Sequence, residues 1–194
     1  MKHTISLVAL LTAFPAFAES TRQLDAHKHG VGTLNIAVDG TAVVMELEAP
    51  GADIVGFEHA AENDVDKDAV DAAVALLSAP LDLFVMPEAA GCIVAEAHAE
   101  LESEAMHSEH GEDNHADEGH DDHADEDHAD ESGHTEFHAE YALTCENPDA
   151  LTEITFAYFN TFPNAKEVEV QLLTASGAQA YEVERDTPVL GLGR

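Results

Sequence analysis

The sequence predicts an α+β domain: an antiparallel sheet made of three hairpins, in the order ββ-α-ββ-α-ββ, with helices packed on one face. Three observations predict it. Paired segments alternate apolar and polar residues across turn signals. Stretches of helical periodicity lie between those pairs. One low-complexity tract, rich in histidine and acid, interrupts the pattern instead of extending it.

Residues 1–18 are expected to be a signal peptide. Lys2 and His3 open it, Ile5 to Ala13 is nearly all apolar, and Ala16-Phe17-Ala18 is a small-x-small cleavage site. The apolar run is too short to span a bilayer. The mature chain is then expected to begin near Glu19, outside the cytoplasm. The A-F-A site fits a periplasm, with a fully secreted product as the alternative. Residues 19–194 read as a single domain.

Gly32 to Val38 (GTLNIAV) alternates, Asp39-Gly40 marks a turn, and Ala42 to Leu47 (AVVMEL) follows as the partner strand. Ala49-Pro50-Gly51 breaks that strand. In Asp68 to Ser78 (DAVDAAVALLS), Val70, Val74 and Leu77 share a helical face, with acids near the start where the helix dipole favours them. Leu81 to Val85 is a short apolar run ended by Pro87. Ile93 to Leu101 and Phe137 to Leu143 alternate again and form the central hairpin. Asn147-Pro148-Asp149 then starts a helix, capped by Asn147 or Asp149, that runs to about Asn160. Phe162-Pro163-Asn164 ends it. Val168 to Leu173 and Ala180 to Glu184 form the last hairpin across Ser176-Gly177.

Cys92 and Cys145 are the two cysteines and flank the central hairpin. In an exported chain an even number points to a disulfide, worth about 4 kcal/mol for a loop of this length. A Cys/His metal site is the rival reading, but no C-x-x-C spacing supports it. Opposing the two cysteines directly creates a conflict of parity. Even positions on one strand would face with odd positions on the other, mixing apolar and polar sides. A bulge, at Gly91 for instance, or cysteines just outside the ladder would resolve it.

The central hairpin encloses the interrupting tract, residues 102–136, with 15 acids and seven histidines in 35 residues. H-A-D-E recurs at 115–118, 123–126 and 128–131. Such sequence is too polar to bury a core and is expected to be disordered without a ligand. Its histidines are His107, His110, His115, His120, His123, His128 and His134. Their spacing is irregular, so it encodes no single rigid site. Imidazole nitrogens suit Zn²⁺, Cu²⁺ and Ni²⁺, and neighbouring carboxylates can ligate or orient the rings. The tract therefore reads as a multi-site, exchangeable metal sink; a solvated acidic linker accounts for the acids but not for the histidines. Outside it, His27 and His29 lie two apart in A-H-K-H-G, and His59 ends G-F-E-H. His98 and His138 share the hairpin's polar face with Glu96, Glu100 and Glu140, as further ligands or as ordinary strand residues.

The whole chain carries 40 acidic and seven basic side chains. That balance excludes nucleic acid and anionic membranes as natural partners, favours cations, and also serves solubility. No stretch after the leader is long and apolar enough for membrane insertion. No H-E-x-x-H, G-x-S-x-G, phosphate-binding glycine loop or EF-hand pattern is present, so no catalytic residues are expected and the protein reads as a non-enzyme.

The segments AHKHG, LNIAVDG, APGADIVGFEHA, AAGC, YALTCENPDAL and FNTFPNAKEVEVQLLT, in this order, resemble the ZrgA-like family of zinc-regulated periplasmic zinc-binding proteins. The resemblance covers essentially the whole mature chain. It implies periplasmic zinc binding, a His-rich central segment of variable length, and a supporting role to a zinc ABC importer or its binding protein. The family's H-x-H-G matches His27, His29 and Gly30, and its G-F-E-H matches Gly56 to His59. Two other readings remain: an interaction module that docks a periplasmic partner, with the tract as a spacer, and a protein that buffers copper or nickel. The sequence does not reveal the oligomeric state.

Overall fold

The computed structural model describes residues 28–103 and 134–193. The expected signal peptide, His27 and the histidines from His107 to His128 lie outside them. The described residues form an α+β fold dominated by strands.

The first hairpin forms as predicted. Strand β1 (Val31–Asp39) pairs antiparallel with β2 (Ala42–Pro50) from Thr33↔Glu48 to Asp39↔Ala42. Gly40 takes the positive φ (56°) that a two-residue hairpin turn requires. Leu34, Ile36 and Val38 of β1 and Val43, Met45 and Leu47 of β2 are buried on one side. Their alternation in sequence is the alternation of the pleat.

The central hairpin joins β4 (Cys92–Ser103) to β5 (Thr135–Cys145), and its ladder reaches Ser103↔Thr135. Cys92 and Cys145 are bonded as a disulfide and directly opposed in register. The parity conflict is resolved by a bulge, but between Val94 and Glu96 instead of at Gly91. Ala95 is the extra residue. Beyond it, Ala97, Ala99 and Leu101 face the core opposite Tyr141, Ala139 and Phe137.

The sheet is mixed, not purely antiparallel. Strand β7 (Glu167–Thr174) forms the last hairpin with β8 (Gly177–Glu184), and β7 also lies parallel to β1. The six-strand order is β4-β5-β2-β1-β7-β8. A second sheet has the order β3-β6-β9, with β3 (Phe84–Val85), β6 (Glu153–Phe156) and β9 (Val189–Gly191).

Helix formation departs most from expectation after Cys145. The helix expected from Asn147 to about Asn160 is replaced by a 3₁₀ turn at Pro148–Ala150, strand β6 and one helical turn, α4 (Tyr158–Thr161). Ile154 and Phe156 alternate into the core, and β6 finds partners on both edges in β3 and β9. Those long-range ladders outweigh local helical spacing. Helix α2 (Asp64–Leu77) starts four residues before Asp68, because the Asn63 side chain accepts a hydrogen bond from the Asp66 N–H at 2.9 Å. Single turns α1 (Gly51–Ile54) and α3 (Pro80–Leu83) and a second 3₁₀ turn at Glu88–Ala90 complete the helices among the described residues.

The helices and the small sheet cover one side of the large sheet. Phe84 meets Phe156 edge-on at 5.3 Å and stacks with Tyr158 at 6.0 Å, above the buried residues of β1, β2, β5 and β7. The Arg185 guanidinium donates to the carbonyls of Phe159, Phe162, Pro163 and Ala165, fastening α4 and its exit loop to the end of β8. No described helix is long and apolar enough to cross a membrane.

Candidate metal-binding site at the root of the histidine-rich segment

Three short stretches, far apart in sequence, meet where β5 begins. The first is the turn Lys28–Val31, closed by a Val31 N–H to Lys28 carbonyl bond of 3.0 Å. Gly30 has φ +90° there, a conformation open to glycine without steric cost. His29 sits beside it at the apex. The second stretch is the loop after α1, carrying Phe57, Glu58 and His59. The third is His134-Thr135, where the described chain resumes.

Glycine and a buried carboxylate bring them together. The Asp53 side chain is 3% exposed and accepts from the Gly30 N–H with both oxygens, at 2.8 and 2.9 Å. Burial raises the Asp53 pKa above its ordinary value, while the Gly30 hydrogen bond and the nearby His29 oppose that rise. The Gly30 carbonyl accepts from the Lys166 and Glu167 N–H groups, so the turn is held on both sides. Gly51 allows the second and third stretches to touch. A Cβ there would collide with Thr135 Oγ1 and lie 2.7 Å from the Phe57 carbonyl.

The outcome is a carboxylate between two imidazoles. His29 Nδ1 lies 3.3 Å from one Glu58 oxygen, and His134 Nδ1 lies 2.9 Å from the other. Glu58 is mostly covered, whereas His29 and His134 are more than half exposed. Nδ1–H donation from His134 to Glu58 leaves that ring's Nε2 lone pair free, while the His29 ring faces the other Glu58 oxygen at ion-pair distance. A carboxylate behind a histidine is the usual support of a metal-ligating imidazole. Among the described residues, no group of three or more His, Cys, Asp or Glu side chains is arranged to hold a metal ion. The described residues thus bring two imidazoles to one carboxylate and form no closed cage.

The other predicted histidines lie elsewhere. His59 follows Glu58, but its ring contacts are local: it stacks on Phe57 at 4.6 Å, and its Nδ1 lies 3.0 Å from the Ala60 carbonyl and 3.9 Å from Asp66. His98 and His138 share the polar face as expected, but as diagonal neighbours. His98 opposes Glu140, and His138 opposes Glu100 on one side and Glu48 on the other. His138 is 7% exposed. Its Nε2 lies 3.1 Å from Glu136 and 3.5 Å from Glu102, and its Nδ1 lies 3.9 Å from Glu48. The Glu136 hydrogen bond raises its pKa above the ordinary histidine value, against the opposing effect of burial.

Sequence reasoning named His29 and His134 but separated them, one in a motif and the other in the tract. It noted Glu58 only as a neighbour of His59. The missed signal was glycine: Gly30, Gly51 and Gly56 punctuate the two motifs at the turns and the close approach that build the site. Residues 26–192 match a family described as ZrgA family zinc uptake protein. No curated protein matches the sequence significantly.

Proposed function

The chain belongs to the ZrgA family of zinc uptake proteins, and from that premise we propose that it is a periplasmic accessory protein that captures Zn²⁺ for an ABC importer. The observation that carries this reading is Glu58 held between His29 and His134. His134 closes the tract that contains His107, His110, His115, His120, His123 and His128. His29 lies two residues from His27. The Nε2 atoms of His29 and His134 supply two zinc ligands, and tract histidines and acids supply the rest.

Zinc is cargo on this reading, so it must leave as well as bind. Tetrahedral sites closed by four protein ligands retain zinc for structural use. A two-imidazole platform completed by side chains from a repetitive tract has many equivalent completions. That favours graded, exchangeable binding of several ions. The disulfide, Cys92–Cys145, fastens the far end of the same hairpin and suits an oxidising compartment.

Calorimetry on the mature protein at pH 7.5 tests the proposal. Several zinc ions per chain are expected, with affinity falling as pH drops because protons compete for the imidazoles. Changing the six tract histidines from His107 to His128 to glutamine should remove most of the stoichiometry without altering the fold. Absence of zinc uptake by the wild type, or full stoichiometry in the variant, would overturn the reading.

A further inference from the structure

We propose that thiol–disulfide exchange at Cys92–Cys145 runs through the Cys92 sulfur, reached by a dithiol oxidoreductase that seats an apolar surface in the groove beside it. The two halves of the disulfide are unequally placed. Cys145 lies on β5, the second strand of the sheet, and is 0% exposed. Its N–H donates to the Thr41 carbonyl at 2.8 Å, so the chain entering β2 lies on its far side. Cys92 lies on β4, the edge strand, and is partly exposed.

Exchange is a displacement, and access decides which sulfur is attacked. The thiolate approaches one sulfur from the side opposite the sulfur that leaves. This disulfide links β5 to β4 across one rung of the ladder. Approach to Cys92 therefore comes from beyond the sheet edge, whereas approach to Cys145 comes from the side of β2. Attack at Cys92 forms a mixed disulfide there and breaks the Cys92–Cys145 bond. The electron pair leaves on the Cys145 sulfur, which takes a proton from water. In the oxidising direction the Cys145 thiolate attacks that mixed disulfide at Cys92 and expels the thiolate of the oxidoreductase.

The groove indicates what delivers the attacking sulfur. Cys92, and not Cys145, lines a concavity of about 360 Å³ between α3, β3 and the start of β4. Its apolar lining includes Leu81, Val85, Met86 and Ile93. Val85 is 44% exposed and Ile93 is 64% exposed. Glu88 and Glu146 line the same groove. Their charge disfavours small anionic thiols. Apolar contact favours a protein whose reactive cysteine sits in an uncharged surface. The groove lies at the opposite end of the β4–β5 hairpin from the His29–Glu58–His134 platform, so this proposal stands or falls separately from zinc capture.

The test uses the wild-type protein with its disulfide intact. The probe is a thioredoxin variant that lacks its resolving cysteine and so cannot release a mixed disulfide by itself. After incubation without denaturant, acid quenching and alkylation, peptide mapping identifies the linked cysteine. The probe should be joined to Cys92, with Cys145 alkylated, at least tenfold over the reverse. In the V85N/I93N variant, changed at two exposed positions, the yield should fall at least fivefold. Its rate of reduction by dithiothreitol should be unchanged, which separates loss of docking from loss of the fold. No adduct without denaturant, an adduct at Cys145 or divided evenly between the two cysteines, or a yield indifferent to V85N/I93N would overturn the proposal.

Discussion

Glu58→Gln is the sharpest probe of the platform. The substitution keeps the size of the side chain and one acceptor oxygen. It turns the other oxygen into an N–H₂ group facing an imidazole, so either His29 or His134 loses its carboxylate partner. Loss of an orienting partner behind a metal-ligating histidine typically weakens binding 10–100-fold, about 1.4–2.7 kcal/mol. Both histidines are more than half exposed, so their pairs with Glu58 add little to the fold itself. The apo protein should therefore melt almost as the wild type does. The assay is zinc competition against a chromophoric chelator at pH 7.5, with Glu140→Gln on the sheet as a charge control. The tightest site should weaken by at least tenfold, while the weaker sites, supplied by the tract, change little. A loss below threefold, or an equal loss in Glu140→Gln, would refute the role given to Glu58.

Three further outcomes follow from the same contacts. Gly51→Ala should cost about 1–3 kcal/mol, because its Cβ has no room beside Thr135 and Phe57; denaturant titration measures it, and the tightest zinc site should weaken along with it. Replacing Cys92 and Cys145 with serine should cost about 2–4 kcal/mol in the same titration, with the zinc platform retained, since it lies at the other end of the β4–β5 hairpin. His138 stabilises the fold as an imidazolium among Glu48, Glu102 and Glu136. Its pKa is raised on folding, so that contribution is full below the unfolded value near 6.5 and is lost as pH rises through the folded value. The wild type should exceed His138→Gln in melting temperature most at pH 5.5 and least at pH 8.5, in the presence of a chelator; a flat or rising difference would refute it.

Much of the sheet was legible because pleat and sequence share a period of two. The β1–β2 hairpin needed only alternation and Asp39-Gly40. The parity conflict at Cys92 and Cys145 left two resolutions, a bulge or cysteines outside the ladder, and the chain takes the bulge, at Ala95 instead of Gly91. What local pattern cannot carry is pairing across long separations. The parallel contact of β1 with β7 spans more than 100 residues, and β6 becomes a strand because β3 and β9 supply its ladders. The site divides in the same way. Residue types identified His29 and His134 as ligand material. Their meeting at Glu58 depends on Gly30, Asp53 and Gly51, none of which carries metal chemistry.

That division bears on the proposed capture and release of zinc. The parts that build the platform are buried and over-determined: Asp53 takes the Gly30 N–H with two oxygens, and the Gly30 carbonyl takes two N–H groups. The imidazoles proposed as ligands, His29 and His134, stand more than half in water. On the proposed reading, a rigid frame fixes where the first two ligands point, which lowers the entropic cost of the first contact with an ion. Exposed rings and an incomplete ligand set keep that contact reversible. Had the fold supplied a third and fourth ligand from equally rigid positions, affinity would rise but exchange would slow. The density of histidine in the tract, and its lack of a fixed period, are what a reversible completion of such a half-site requires.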